Sequence, residues 1–501
     1  MSPLAVSGSG VRRVSRADLL AEATALLAAG WRLALVAAHE DDDRFRVVHT
    51  YLRPVGQRTE LTVELPRDDA TIPSLAGASF AAGRFEREIG DLYGLRPEDH
   101  PLPHRLVRHG HWPTGWYPML RDAEPLPRFE PDVGSYPFLE VAGQGVYEIP
   151  VGPVHAGLIE PGHFRFSVVG ETILRMKARL WFLHRGVEKL FEGRTPDAGL
   201  ELAERISGDT AVGHSLAFAL AVEEALGIDV PEPVQLVRAL LLELERIHNH
   251  VSDLGAIAND VGFGIAHAHA QRLRESLLRH HKELTGHRLL RGAVGIGGAR
   301  LLRDPDVDLV RRVTDEAQEL VGIVLDHSVV ADRFTGTAVL DPQTAERLGT
   351  LGYVARASGQ DVDARRDHPF VDLGPGFVPV VETGGDVLAR FVVRSREVAV
   401  SADLVRGLVE RLGGSTGVSA APSAAGPAWA ASSGLGVVEA WRGTLCHRAE
   451  FADDGRLARV KVVDPSFFNW PALPMALADT IVPDFPLANK SFNQSYAGND
   501  L

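Results

Sequence analysis

The side chains able to do chemistry gather in a few short stretches of this 501-residue chain. One runs Arg205-Ile206-Ser207-Gly208-Asp209-Thr210-Ala211-Val212-Gly213-His214-Ser215. It sets two hydroxyls, Ser207 and Thr210, three residues apart and ahead of a histidine. Ser495 and Gly498 repeat that spacing far along the chain. A neutral hydroxyl is a hard, weak metal ligand and glycine has no side chain to offer, so neither pair suits a soft transition metal. Cys446 is the single cysteine, which excludes an internal disulfide framework and an iron–sulfur cluster held by this chain's own thiolates. His248 and His250 stand two apart, so on a helix they point to different faces and make no metal pair. His155 and His163 sit in a Gly/Pro loop, where histidines commonly satisfy local backbone groups. Charge collects in His184-Arg185-Gly186-Val187-Glu188-Lys189, in Glu243, Glu245 and Arg246, in Asp363, Arg365 and Asp367, and in Glu439 with Arg442.

The elements that must hold these residues are read from periodicity. Residues 17–29 form a short amphipathic helix. Strands are predicted over 31–38, 45–52 and 60–65, and a helix over 79–94 carries Glu86, Arg87, Glu88 and Asp91 and stops at Gly94. That mixture predicts a small α+β domain over 1–106. Residues 107–146 are rich in Pro, Gly and Trp and read as an extended linker. The second domain, 147–501, is mainly α-helical with short β segments. It starts with a β run over 164–169 and a helix over 171–192, whose mid-helix Gly186 is costly unless something packs close to it. A further helix carries Leu216, Leu220, Ala221 and Val222 on its apolar face and closes at Gly227. The most periodic segment, 234–254, stops at Gly255, and helices follow near 271–285 and 307–327. Residues 349–370 are dense in glycine and charge, as in an irregular buried loop or a surface turn. Residues 1–10 are a disordered lead, and 413–433 is a low-complexity, mobile insertion. The fold class is therefore α+β.

Composition narrows the function classes. Apolar content of 45% and charged content of 24% are those of an ordinary globular protein. A net charge of −14 argues against nucleic acid or anionic lipid as a general partner. The start of the chain lacks a signal peptide pattern. The longest uncharged run, 413–438, is too rich in Gly, Ser, Ala and Pro to span a bilayer. The expected location on these grounds is the cytoplasm, with any membrane attachment made through partners.

Two sets of motifs carry a resemblance. Glu86-Arg87-Glu88-x-x-Asp91-x-x-Gly94 followed by His100-Pro101 and His104-Arg105-Leu106 resembles the C-type subunit of NADH–quinone oxidoreductase (complex I). From His155 onward the chain resembles both the D-type subunit of that complex and the nickel–iron hydrogenase large subunit of the formate hydrogenlyase, or hydrogenase-4, type. The carriers are Gly152-Pro153-Val154-His155 with Gly162-His163-Phe164-Arg165, the His184–Lys189 motif, Arg205 to Ser215, Glu243 to Arg246, Thr285-Gly286-His287-Arg288, Asp363 to Phe370, Glu439-Ala440-Trp441-Arg442-Gly443 and the stretch from Phe467 onward. The hydrogenase motifs place four cysteines where this chain has Ser207, Thr210, Ser495 and Gly498.

The resemblance implies a fusion of the C-type and D-type subunits, covering 86–501. It implies an electron-transfer subunit of a complex I-like or hydrogenase-4-like membrane oxidoreductase of NADH–quinone type, acting on NAD(P)H with a quinone acceptor and active only in a complex. This chain would bind no metal or cofactor of its own. A [4Fe-4S] cluster would sit on a small iron–sulfur partner subunit, beside antiporter-like membrane subunits, and a quinone-type cavity would lie between. Candidate cavity residues are His155, His163, Arg165, His214, Asp363 and Arg442, with either His155 or His163 as the headgroup histidine. Histidine, arginine and a nearby acid suit a carrier that takes up two electrons and two protons. The D-type subunit also uses a tyrosine near the start of the 216–227 helix, and here no tyrosine occurs between Tyr147 and Tyr353. The alternative is a cofactor-free assembly subunit. An active nickel–iron hydrogenase ranks last.

Overall fold

The computed structural model describes residues 10–129, 131, 136–413 and 432–501. Strand β1 (Gly10–Arg13) and helix α1 (Leu19–Ala28) precede β2 (Arg32–Glu40), β3 (Arg44–Arg53) and β4 (Gln57–Pro66). These strands make one sheet in the order β1-β4-β3-β2, with β1 parallel to β4 and the other pairs antiparallel. Strand β2 is buried along nearly its whole length, because α2 (Phe80–Tyr93) and a strand from the far end of the chain both pack against it. Ser79 caps α2 by accepting the Ala82 N–H, and Gly94 ends it at φ 76°. No helix or strand forms among the described residues from 107 to 145. The start of that segment is fastened instead: the Asp91 carboxylate accepts the N–H groups of Leu106 and Val107 at 2.7 and 2.8 Å.

Strand β6 (His163–Val169) pairs antiparallel with β5 (Val146–Val151) and with β7 (Thr172–Arg179). The helix expected over 171–192 is thus replaced by a strand, a turn and the short helix α3 (Val187–Phe191). Its apolar residues do recur at helical spacing, but Gly170, at φ 58°, turns the chain back so that 172–179 bonds to β6. Leu174 and Leu190, both assigned to the apolar stripe, are 42% and 46% exposed. Gly186 is not inside a helix. It precedes α3 at φ 66°, and a Cβ there would meet nothing, so its backbone conformation rather than close packing calls for glycine.

Helices α4 (Ala211–Leu226), α5 (Glu232–Asn259), α6 (Gly264–Thr285), α7 (Val307–Asp326) and α8 (Val387–Leu412) build the second half. Gly227 ends α4 at φ 65°. Gly255 does not stop α5: a Cβ there would collide with Ala270 of α6, so this glycine lets the two helices approach. The 349–370 stretch holds two short helices and is largely buried. The lead expected at 1–10 and the insertion expected at 413–433 lie almost entirely outside the described residues. Strands β8 (Ser433–Ala440), β9 (Gly443–Phe451) and β10 (Leu457–Val463) form a three-stranded antiparallel sheet under α4. The short helix α9 (Tyr496–Asp500) is buried. The architecture is mixed α+β with several small sheets. No helix among the described residues is long and apolar enough to cross a membrane.

Candidate functional site

The two hydroxyl-bearing stretches that the sequence places 288 residues apart meet in space. Ser207 Oγ and Ser495 Oγ are 2.9 Å apart and both side chains are buried. The turn before α4 presents Ser207, Asp209 and Thr210, and the Ser207 and Thr210 hydroxyls each donate to Asp209 Oδ1 at 3.0 Å. The β8–β9 turn brings Arg442, which donates to both Asp209 oxygens at 2.7 Å and to the Asn493 carbonyl at 2.7 Å. Its guanidinium stacks over Trp441 at 4.0 Å, whose Nε1 donates to Thr210 Oγ1 and the Asp209 carbonyl at 3.1 and 3.0 Å. Burial pushes the Asp209 carboxyl up, but the bidentate guanidinium overrides this and holds it far below the usual carboxylate range.

Behind this pair, whose Asp209 side chain is 38% exposed, lies a buried group. His214 Nδ1 is 3.1 Å from His447 Nε2, and its Nε2 is 3.2 Å from Asp464 Oδ2. That last contact has ion-pair distance without hydrogen-bond alignment. Burial, and then His214, keep the His447 imidazole well below its ordinary pKa. A Cβ added at Gly498 would lie 2.5 Å from Asp464 Oδ2, so the carboxylate fills the space a side chain at 498 would need. The four positions 207, 210, 495 and 498 do not fit a nickel–iron centre: they supply three hard hydroxyls and no side chain at the fourth. Among the described residues, no group of three or more His, Cys, Asp or Glu side chains is arranged to hold a metal ion.

The loop histidines part company. His163 Nδ1 contacts the Gly152 carbonyl at 3.2 Å, a local backbone role. His155 Nε2 lies 3.2 Å from the phenol oxygen of Tyr496, next to Ser495. Gly162 makes room for that ring, since a Cβ there would come within 2.5 Å of it, and Trp470 packs on its other side at 4.7 Å. Burial pushes the Tyr496 phenol up and the His155 imidazole down, so both are neutral near pH 7. Around them Val154 and Leu158 are 83% and 101% exposed, and Ile159 is partly exposed. Arg165 points away on β6, 3.5 Å from Glu148 and over Phe138.

Asp363 belongs to a fully buried ion cluster elsewhere. Arg365 donates to its two oxygens at 3.0 and 2.7 Å, and Arg356 is 3.3 Å away. Arg356 also reaches Glu439 and Glu397 at 2.8 and 2.6 Å, while Arg365 and Arg246 reach Glu243 at 3.1 and 3.2 Å. Glu397 accepts from His250 at 2.7 Å. The His250 ring abuts Trp441 and Tyr353, which links this cluster to the Arg442 turn. The sequence candidates therefore fall into four neighbourhoods, with Arg442 and the His155 loop joined through residues 493–496. Tyr496, Asp209, Asp464 and His447 were not among them. Asp209 stood inside a motif already singled out, and its charge between two hydroxyls was the available signal. Nothing local marks Tyr496, because its partner lies 341 residues away.

Comparison with known proteins finds three family matches along the chain. The family described as "Respiratory-chain NADH dehydrogenase, 30 Kd subunit" matches residues 13–128, the 49 Kd subunit family matches residues 260–428, and "Nickel-dependent hydrogenase" matches residues 185–254. Formate hydrogenlyase subunit 5 of Escherichia coli (strain K12) is 34% identical over 94% of this chain and 85% of its own length. The fused C/D-type NADH-quinone oxidoreductase chain of Phocaeicola vulgatus is 30% identical over 69% of this chain and 71% of its own length. A chain in the structure of the membrane-bound sulfane sulfur reductase, an archaeal respiratory membrane complex, superposes with a TM-score of 0.65 at 25% identity, covering 72% of this chain and 100% of that one.

Proposed function

This chain belongs to the family that joins the C-type and D-type subunits of complex I to the large subunits of membrane-bound hydrogenases, and from that premise we propose that it is an electron-transfer subunit of such a complex, lining a quinone-type cavity beside a small iron–sulfur subunit. It associates peripherally with the cytoplasmic side of the membrane, through that subunit and antiporter-like membrane subunits. The observation that carries this reading is the His155–Tyr496 pair. A quinone headgroup needs a hydrogen-bond donor at a carbonyl, a proton source, and apolar surface for its ring. An imidazole and a phenol 3.2 Å apart, beside the exposed Val154, Leu158 and Ile159, meet that requirement. Tyr496 takes the place of the tyrosine missing between Tyr147 and Tyr353. Arg274 and Lys282, with Leu278, His287, Arg288 and Leu289, line a cavity of about 450 Å³, in which Arg288 is already paired with Glu275. Electrons would come from the partner's cluster, and His155 and Tyr496 would bind the carrier and pass protons to it.

A second reading, a cofactor-free assembly subunit, is supported by the Arg442–Asp209 pair standing among the former ligand positions. One experiment separates the two. In the native complex, His155→Gln and Tyr496→Phe should each lower quinone reduction about tenfold or more, with the complex still assembled. Unchanged quinone reduction in both variants would leave the assembly role. Stoichiometric nickel on this chain in elemental analysis would sink both readings.

A further inference from the structure

We propose that Asp209, Arg442 and Asp464 form an internal clasp that replaces a metal centre as the cross-link between the 205–215 motif and the 493–500 segment. The inference rests on the family assignment of positions 207, 210, 495 and 498 and goes beyond the quinone reading, which gives the carrier contact to His155 and Tyr496. A cluster held by cysteines from both stretches would tie them together and fill the space between. With hydroxyls and a glycine at those positions, the tie and the filling must come from elsewhere.

Arg442 supplies the tie. One guanidinium bridges the Asp209 carboxylate at 2.7 Å through two parallel bonds and the Asn493 carbonyl at 2.7 Å through Nε. It thereby spans from the first motif to the start of the last segment. The pair Ser207–Ser495 adds a second bridge at 2.9 Å. The Arg442 charge is balanced by Asp209, as a guanidinium only 3% exposed requires. Asp464 supplies the filling. Its Oδ1 is fixed by the Ser466 N–H at 2.7 Å, which leaves Oδ2 to occupy the volume next to Gly498 and face His214. A glycine at 498 and a carboxylate at 464 are thus complementary: either position with a larger group would exclude the other. The α9 helix that follows is anchored by the Gly498 N–H donating to Ser495 Oγ at 2.8 Å.

Two measurements on the purified full-length chain test this, and neither depends on redox activity. In hydrogen exchange followed by mass spectrometry, Asp209→Asn and Arg442→Gln should each speed exchange of residues 496–500 at least tenfold while leaving α5 protected. Arg442→Lys, which keeps the charge but loses the paired hydrogen bonds, should fall between. Unchanged exchange at 496–500 in the Asn and Gln variants would overturn the clasp. In thermal unfolding, Gly498→Ala should lower the midpoint, and Asp464→Ala added to it should recover most of the loss. Purely additive effects of the two substitutions would overturn the complementarity. Unchanged quinone reduction in His155→Gln and Tyr496→Phe, with faster exchange at 496–500 in the clasp variants, would count against the quinone reading alone, so the two failures are distinguishable.

Discussion

The Glu245 carboxyl lies at the foot of α4, where it accepts the N–H groups of Val212 and Gly213 at 2.7 and 3.0 Å. Two such donors at a helix N-terminus favour the carboxylate. Burial wins nevertheless, because the side chain is almost wholly removed from water, and the group is pushed up to about 8. Burial likewise pushes Glu86 up to about 7, against the Ser74 hydroxyl and the Leu75 N–H that bond to it. A raised carboxyl stabilises the fold while it is protonated. That contribution is complete below the unfolded value, near 4.5, and is lost as pH rises through 7 to 8. The unfolding midpoint should therefore fall between about pH 5 and pH 8 and level off above that. Glu245→Gln keeps one acceptor oxygen for the two N–H groups and removes the ionisation, so it should flatten the upper part of that fall. The same slope in the variant and the parent, by calorimetry across the range, would assign the titration to another group.

At the level of elements, the site depends on how closely β8 approaches α4. Gly434 and Gly436 face the helix, and a Cβ on either would run into backbone atoms of Ala217, Ala221 or Ala225. Both strand and helix backbones are held by their own hydrogen bonds, so neither yields cheaply. Gly436→Ala should cost about 1–3 kcal/mol or more, as overpacking of a tight core does, and should displace Arg442, two residues beyond the strand, from Asp209. Denaturant unfolding measures the first and hydrogen exchange at 207–212 the second. A neutral Gly436→Ala would mean that the helix shifts freely over the sheet. Elements were also where periodicity misled. The 171–192 stretch satisfies a helical count, yet hairpin pairing to β6 uses the same residues with period two, and the left-handed turns at Gly170 and Gly186 decide between them.

On the scale of the whole molecule, the β9–β10 sheet turns a charged face toward the N-terminal sheet. Arg448 stands opposite Lys461 and Glu450 opposite Arg459 in register. Arg46 grips Glu450 through two bonds of 2.9 Å, Arg448 donates to Glu60 at 3.0 Å, and Lys461 donates to Glu88 at 2.7 and 2.8 Å. Arg459 and Lys461 also share Glu188. Glu88 of the first motif and Glu188 of the His184–Lys189 motif thus meet on one lysine. Stacking of Phe85 on Phe467, 4.5 Å between centroids, continues the contact with apolar surface. The described part of 107–146 has no strand or helix before Val146, so limited proteolysis should cut there and the nicked halves should still migrate together on gel filtration. Lys461→Met leaves Glu88 buried without its cation, which should cost about 3–5 kcal/mol and let the nicked halves separate. Preferential cutting inside 171–255 would contradict the two-module division.

The order of motifs, the mixed α+β class and the kinship to complex I and hydrogenase subunits were legible in the sequence alone. They rest on residue identity at short spacing, and short spacing survives without knowledge of the fold. Helix positions were legible wherever one period dominated, as in α5, whose apolar stripe has no competing strand partner. Four features were left for tertiary structure to decide: that Ser207 meets Ser495, that Tyr496 reaches His155, that Asp464 fills the volume beside Gly498, and that Asp363 sits in an ion cluster away from Arg442. The first three join residues apart in the chain, and the fourth sets the local Asp363–Arg365 pair against the distant Glu243, Glu397 and Glu439. The free energy of such a contact comes from burial and complementary charge, which no local pattern encodes. A serine or an aspartate reads the same in sequence whether it faces water or completes a buried clasp, and only the packing around it tells the two apart.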